Sequence, residues 1–237
     1  VDLSGKRRGK DTVNKVWGNE ASVLVGDFLY SRSFEIMVEL DDMEIMKILS
    51  HATNTIAKGE VLQLMCVDQV ETNINQYLKV IEYKTATLFE ALCECTAVLA
   101  NCDDNVRKNL AMYGRNIGLA FQISDDVLDY TAESNEQIGK NIGDDLSGGK
   151  ITLPFIYAFQ NCTKEKKHIL KEIIRNRKIE DFMILRDIIF ETDSIKLTED
   201  KAKEFVNLAK KNLEVVENSE IGSLLNFLAE FSINRKK

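Results

Sequence analysis

A single proline, Pro154, in 237 residues, and twelve glycines that never gather into a Gly/Ser/Pro-rich stretch, limit what this chain can fold into. Breakers punctuate helices and mark linkers, so long runs without them imply long helices in one domain. The apolar spacing agrees. From Val16 to Val38, Val23, Leu24, Phe28, Phe34 and Met37 follow a helical period, with Asp27 and Arg32 embedded among them, and no segment keeps the two-residue alternation of a strand. Asp41 or Asp42 is placed to cap a second helix reaching about Cys66, and a long third helix is expected from about Asn75 to Ala100. Asp103 or Asp104 caps a fourth. Pro154 suits a helix start, and the last helix is expected around 219 to 233. A chain this long buries roughly 70% of its unfolded surface, enough for one large all-α domain.

The fourth helix carries the most informative pattern, Gln122-Ile123-Ser124-Asp125-Asp126-Val127-Leu128-Asp129-Tyr130. Its polar positions Gln122, Asp125, Asp126 and Asp129 fall at i, i+3, i+4 and i+7, one face of a helix, while Ala120, Ile123, Val127 and Tyr130 share the other. Like charges at this spacing repel, so the acidic face either is solvated or holds a cation. Mg²⁺ suits it, because that ion takes oxygen ligands and is usually held by one or two carboxylates together with substrate phosphates.

Other functions are disfavoured. A formal charge of −7 argues against nucleic acid or an anionic membrane as the main partner. No apolar run spans a bilayer, and no signal-peptide pattern opens the chain. Five cysteines without a CxxC pair, and only two histidines, His51 and His168, do not make a zinc site. Cys93, Cys95 and Cys102 lie in an apolar helical run and read as small core residues in a reducing cytosol.

Basic groups complete a set. Arg7 and Arg8, followed by Gly9, offer two guanidinium forks to an anion. Lys84 and Thr85 lie inside the expected third helix. A glycine-bearing stretch from Gly139 to Pro154 brings Lys140 and Lys150, whose ammonium groups a loop can carry over a phosphate as a lid would. That stretch is not a Walker loop, since no G-x-x-x-x-G-K-[ST] occurs in it. A metal face plus cations, with no Ser-His or Cys-His pair, fits ionisation of a diphosphate leaving group.

The sequence is similar to the trans-type polyprenyl diphosphate synthases, and most closely to the bacterial octaprenyl diphosphate synthases. The matching runs are Arg7-Arg8-Gly9, Gly18-Asn19 through Val25-Gly26-Asp27-Phe28-Leu29-Tyr30, Gly59-Glu60-Val61-Leu62-Gln63, Lys84-Thr85-Ala86, Phe121-Gln122 through Asp129-Tyr130, and Gly139-Lys140 through Thr152-Leu153-Pro154. They extend over positions 2 to about 158, and beyond that the likeness is in helical character only. The resemblance implies an isoprenoid synthase-type bundle of antiparallel helices around a central cavity. It also implies a cytoplasmic homodimer that condenses isopentenyl diphosphate with an allylic diphosphate, farnesyl diphosphate in the first instance, to a long all-trans product. Octaprenyl diphosphate, for quinone side chains, is the product taken from overall similarity.

By the same resemblance Asp125, Asp126 and Asp129 are the second aspartate-rich motif that binds Mg²⁺. Arg7, Lys84, Lys140 and Lys150 hold the allylic diphosphate and Arg8 the isopentenyl one, while Thr85 and Gln122 steady the carbocation or the substrate. The departures are that the family's Glu-Gly-Lys is Gly148-Gly149-Lys150 here and that Asp11 replaces a proline. The first aspartate-rich motif is expected upstream of Arg7-Arg8, leaving Asp2 as its last aspartate. The expectation is therefore a synthase domain over 1–237 lacking its N-terminal helices, with His-Asp-Asp and two residues, the second being Val1, joining it to them. A true truncation is expected to show no elongation. Two rival readings are a non-catalytic subunit of a hetero-oligomeric synthase and a terpene cyclase of the same fold, although a cyclase has no use for the Arg pair and Lys-Thr of a second diphosphate site.

Overall fold

A computed structural model describes residues 5–7, 9–132, 143–216 and 220–234. It is helical nearly throughout. The exception among the described residues is a two-stranded antiparallel turn, Lys6–Arg7 against Lys10–Asp11, which is too short to show alternation in sequence and closes through Gly9 at φ +73°.

Helix α1 spans Val13–Glu39, broken at Gly18, whose φ of 86° lies in the left-handed region. Asp42 caps α2 (Met43–Cys66), accepting from Glu44 N at 2.9 Å and Ile45 N at 3.1 Å, whereas Asp41 takes a φ of +50° in the preceding turn. The expected third helix is interrupted. It is α3 (Ile74–Ile81), then a π-helical turn (Glu82–Ala86), then α4 (Thr87–Leu99). Asp103 caps α5 (Asp104–Thr131) through Val106 N at 2.9 Å. After the short α6 (Asp144–Ser147) come α7 (Leu153–Asn161), with Pro154 in its first turn, α8 (Lys164–Asn176), α9 (Phe182–Glu191), α10 (Ser194–Asn212) and α11 (Glu220–Asn234).

The centre of the fold is α5, which packs chiefly against α4 and α10. Fourteen of its residues are buried, so the acidic segment sits inside the bundle rather than on its surface. One core cluster gathers Tyr77, Ile81, Leu119, Ile123, Tyr130 and Phe155 around it, and a second gathers Tyr113, Ile117, Ala120, Val206, Ala209 and Ala229. Of the cysteines expected in the core, Cys95 is buried and Cys93 and Cys102 are half-buried, and both histidines are exposed. Burial pushes the Cys93 thiol up to about 11.

Helix α1 behaves differently from its sequence pattern. Met37 is its one buried residue; Phe34 is half-buried, edge-on to Tyr30 at 5.1 Å, and Trp17, Leu24 and Phe28 are 69%, 67% and 66% exposed. Asp27 is exposed and Arg32 pairs with Glu35 at 2.7 Å, so neither is a buried charge in need of a partner. No helix among the described residues is long and apolar enough to cross a membrane.

Candidate active site

Two glycines let the π turn touch its neighbours, and a third does the same for the α4 turn that follows it. A Cβ on Gly59 of α2 would lie 2.5 Å from Lys84 N, and one on Gly118 of α5 would lie 2.6 Å from Ala86 Cα; one on Gly114 would run into the Phe89 carbonyl. The small residues Ala86 and Gly118 therefore allow close helix contact here. The π turn is secured by Thr87, whose amide and hydroxyl both donate to the Glu82 carbonyl, the hydroxyl at 3.0 Å. A guanidinium adds to this. Arg115 of α5 grips Glu82 with both arms, Nε to Oε1 at 3.0 Å and Nη2 to Oε2 at 2.8 Å. Single π turns inside α-helices are frequent at functional sites, because the extra residue re-aims the side chains beside it.

The re-aimed residues are Lys84 and Thr85, and each faces a different helix. Lys84 Nζ lies 3.0 Å from Gln63 Oε1 and 3.1 Å from Glu60 Oε2, both on α2. Thr85 Oγ1 donates to Gln122 Oε1 of α5 at 2.9 Å, and Gln122 Nε2 donates in turn to Asp126 Oδ1 at 3.0 Å. From α3, the Tyr77 hydroxyl donates to Asp126 Oδ2 at 2.7 Å. A continuous chain of hydrogen bonds thus links Thr85, Gln122, Asp126 and Tyr77.

Asp126 and Asp129 are only 6% and 3% exposed and Asp125 is half-buried, so the reading as a solvated acidic face does not hold. Asp145 of α6, also buried, belongs to the same neighbourhood. Burial first, then the charge and hydrogen bond of Asp126, then Asp145, drive the Tyr77 phenol well above its ordinary value. The Tyr130 phenol is pushed up by burial too, against a lowering bond from Thr152, with Asp145, Asp129 and Asp126 adding to the rise. Lys150 joins through Asp145, at 3.4 Å from Oδ1, and its amide donates to the Asp145 carbonyl at 2.9 Å.

Of the residues singled out by sequence, the structure brings Lys84, Thr85, Gln122, Asp126 and Asp129 to one region, with Asp125 on the same helix and Lys150 beside Asp145. Asp2, Arg8 and Lys140 lie outside the described residues, as does the Arg7 side chain. No three His, Cys, Asp or Glu side chains among the described residues converge closely enough to cage a cation alone. The donor set nonetheless fits a hard divalent ion. It is all carboxylate, and such an ion takes its remaining ligands from phosphate oxygens and water. Sequence reasoning gave no role to Tyr77, Glu60, Asp145 or the Arg115–Glu82 pair. Tyr77 lies seven residues before Lys84, a spacing that signals a shared helix face, but the π turn alters that phase.

The family profile of the polyprenyl synthetases matches residues 1–189. The chain belongs to the polyprenyl synthetase family. Members of this family are prenyltransferases. Across 238 aligned residues the chain is 40% identical to the octaprenyl diphosphate synthase of Escherichia coli K12, covering all of this chain and 73% of that protein. It is 41% identical to the octaprenyl diphosphate synthase of Haemophilus influenzae, over 99% of this chain and 71% of that protein. A crystal structure of a polyprenyl synthase from Caulobacter crescentus CB15, complexed with calcium and isoprenyl diphosphate, superposes with a TM-score of 0.95 at 39% identity, over 100% of this chain and 72% of that one. The likeness to polyprenyl synthetases therefore runs the length of the chain, not only to about residue 158, and the bundle is that of the isoprenoid synthases.

Proposed function

We propose that this polyprenyl synthetase elongates an allylic diphosphate, farnesyl diphosphate first, with isopentenyl diphosphate to a long all-trans product. Octaprenyl diphosphate, a precursor of quinone side chains, is the product favoured by the octaprenyl relatives. The observation that carries the reading is the hydrogen-bond chain Thr85–Gln122–Asp126, which joins a polar wall to a buried acidic face.

In this reading Asp125, Asp126 and Asp129, together with Asp2, would hold Mg²⁺ beside the allylic diphosphate, and the bound ion would supply positive charge for the leaving group. Lys84 leaves Glu60 and Gln63 to donate to that diphosphate, and Lys150, with Arg7 and Lys140, does the same from the other segments. Arg8 takes the isopentenyl diphosphate. Thr85 and Gln122 present oxygen dipoles to the allylic cation formed when the C–O bond breaks. The new C–C bond consumes the isopentenyl double bond, and the proton then lost goes to the departed diphosphate, so no protein base is needed. Residues 1–237 form one all-α synthase domain, acting in the cytoplasm as a homodimer, for which the exposed apolar side chains of α1 offer a surface.

Protein expressed from its complete coding sequence, incubated with farnesyl and isopentenyl diphosphates and Mg²⁺, is expected to yield octaprenyl diphosphate on reversed-phase chromatography. A released hydrocarbon would indicate a cyclase, and no product a non-catalytic subunit.

A further inference from the structure

Asp126 is gripped at both carboxylate oxygens, and the two grips come from different helices. Gln122, one turn earlier on α5, donates to Oδ1 at 3.0 Å, and Tyr77 of α3 donates to Oδ2 at 2.7 Å. An ionised carboxylate accepts at both oxygens, so two donors from two helices fix its rotation.

The support behind Tyr77 is unusually complete for one phenol. Asn73 and Gln76 form a reciprocal capping box at the start of α3, at 3.0 and 2.9 Å, and the Tyr77 amide donates to the Asn73 carbonyl at 3.0 Å. Its ring is 4% exposed within the cluster that includes Ile81, Ile123 and Tyr130. Packing thus locks the ring, and the hydroxyl is delivered to the Asp126 carboxylate, 49 residues away in sequence. A charge-assisted bond of this length to a buried carboxylate is strong and directional.

We propose that Tyr77 is the positioning residue of the acidic site: its hydroxyl sets the orientation in which Asp126 meets a divalent cation and its diphosphate. The inference rests on the reading of Asp126 as a cation ligand. Tyr77 itself acts through Asp126 and touches neither substrate nor product. Removing such a hydrogen-bond partner from behind a metal ligand typically weakens metal affinity by about 10- to 100-fold.

The test is Mn²⁺ binding in the presence of inorganic diphosphate, read from the free-Mn²⁺ electron paramagnetic resonance signal, on the full protein and three variants. Tyr77→Phe keeps the ring and loses only the hydroxyl, Asp126→Ala removes the ligand, and Ile81→Val loosens the same cluster without touching the site. Asp126→Ala is expected to lose most binding, Tyr77→Phe to weaken it by about 10- to 100-fold, and Ile81→Val to leave it unchanged. In turnover, Tyr77→Phe should need correspondingly more Mg²⁺ yet approach the parental kcat at saturation. Parental Mn²⁺ affinity in Tyr77→Phe, with affinity lost in Asp126→Ala, overturns the positioning role and leaves the cation site standing. Parental affinity in Asp126→Ala overturns both. Equal weakening in Tyr77→Phe and Ile81→Val reduces the effect to packing and also overturns the role.

Discussion

The Lys84 ammonium sits 3.1 Å from the Glu60 carboxylate, across a helix contact so close that Gly59 has no room for a Cβ. The two side chains are 29% and 53% exposed, so the pair is partly screened and contributes about 0–1 kcal/mol. On the proposed reading of Lys84 as a diphosphate ligand, Glu60 competes with that diphosphate for the ammonium. Glu60→Gln is expected to tighten inorganic diphosphate binding by up to about fivefold at low salt, measured calorimetrically. Unchanged or weaker binding would mean that Glu60 does not compete for Lys84.

Asp125→Ala, and likewise Asp126→Ala, should lower turnover by orders of magnitude while far-UV circular dichroism stays parental. Removing one of several like charges relieves repulsion along α5 by a few tenths of a kcal/mol, whereas in Asp126→Ala the unpartnered Tyr77 hydroxyl costs about 1–3 kcal/mol of stability. Near-parental turnover in Mg²⁺ by either variant would remove the carboxylates from the mechanism.

Gly118→Ala places a methyl 2.6 Å from Ala86 Cα, a backbone atom that cannot swing aside. Overpacking of this kind costs about 1–3 kcal/mol, or roughly 2–4 °C of Tm per kcal/mol in a protein of this size. Because the same movement stretches the Thr85–Gln122 bond, kcat should fall as well. Calorimetry showing a parental Tm would contradict the contact.

The bidentate Arg115–Glu82 pair bears on the π turn rather than on the bundle as a whole. Glu82→Gln breaks the ion pair but keeps the shape, so a fall in kcat of about tenfold is expected with little change in KM. A charge-swapped double variant, Glu82→Arg with Arg115→Glu, should recover part of the loss. A kcat that follows only the change in Tm would assign the pair to general stability.

Cys93 gives a pH dependence. Its folded value of about 11 stands above the ordinary 9.0, so the folded chain keeps this proton where the unfolded chain releases it. The contribution is full below pH 9 and is lost as pH rises toward 11, amounting to about 3 kcal/mol at most. Denaturant titrations at pH 8 and pH 11 should therefore show a smaller alkaline loss for Cys93→Ala than for the parental protein. Equal losses would show that the thiol is already solvated.

Much of this protein was legible before its structure. Caps and breakers act over a few residues, so Asp42, Asp103 and Pro154 located helix starts from local chemistry. The i, i+3, i+4, i+7 spacing put Gln122, Asp125, Asp126 and Asp129 on one face because a helix repeats every 3.6 residues whatever surrounds it.

Periodicity carries no information about what a face meets. It made α1 a helix but could not tell that most of its apolar side chains would stay exposed among the described residues, and by itself it left open whether the acidic face met water or a cation. It also ran the third helix straight through Glu82–Ala86, where the backbone forms a π turn packed closely against Gly59 and Gly118 of two other helices. That turn sends Lys84 toward α2 and Thr85 toward α5, and it lets Tyr77 reach Asp126 from two turns upstream. Helical character, the capped starts and the charged groups on each face could be read along the chain, because those follow from neighbours in sequence. Only the tertiary structure decided which carboxylates are buried and which hydroxyl holds them, because desolvation and hydrogen bonding depend on residues far apart in sequence that packing brings within 3 Å.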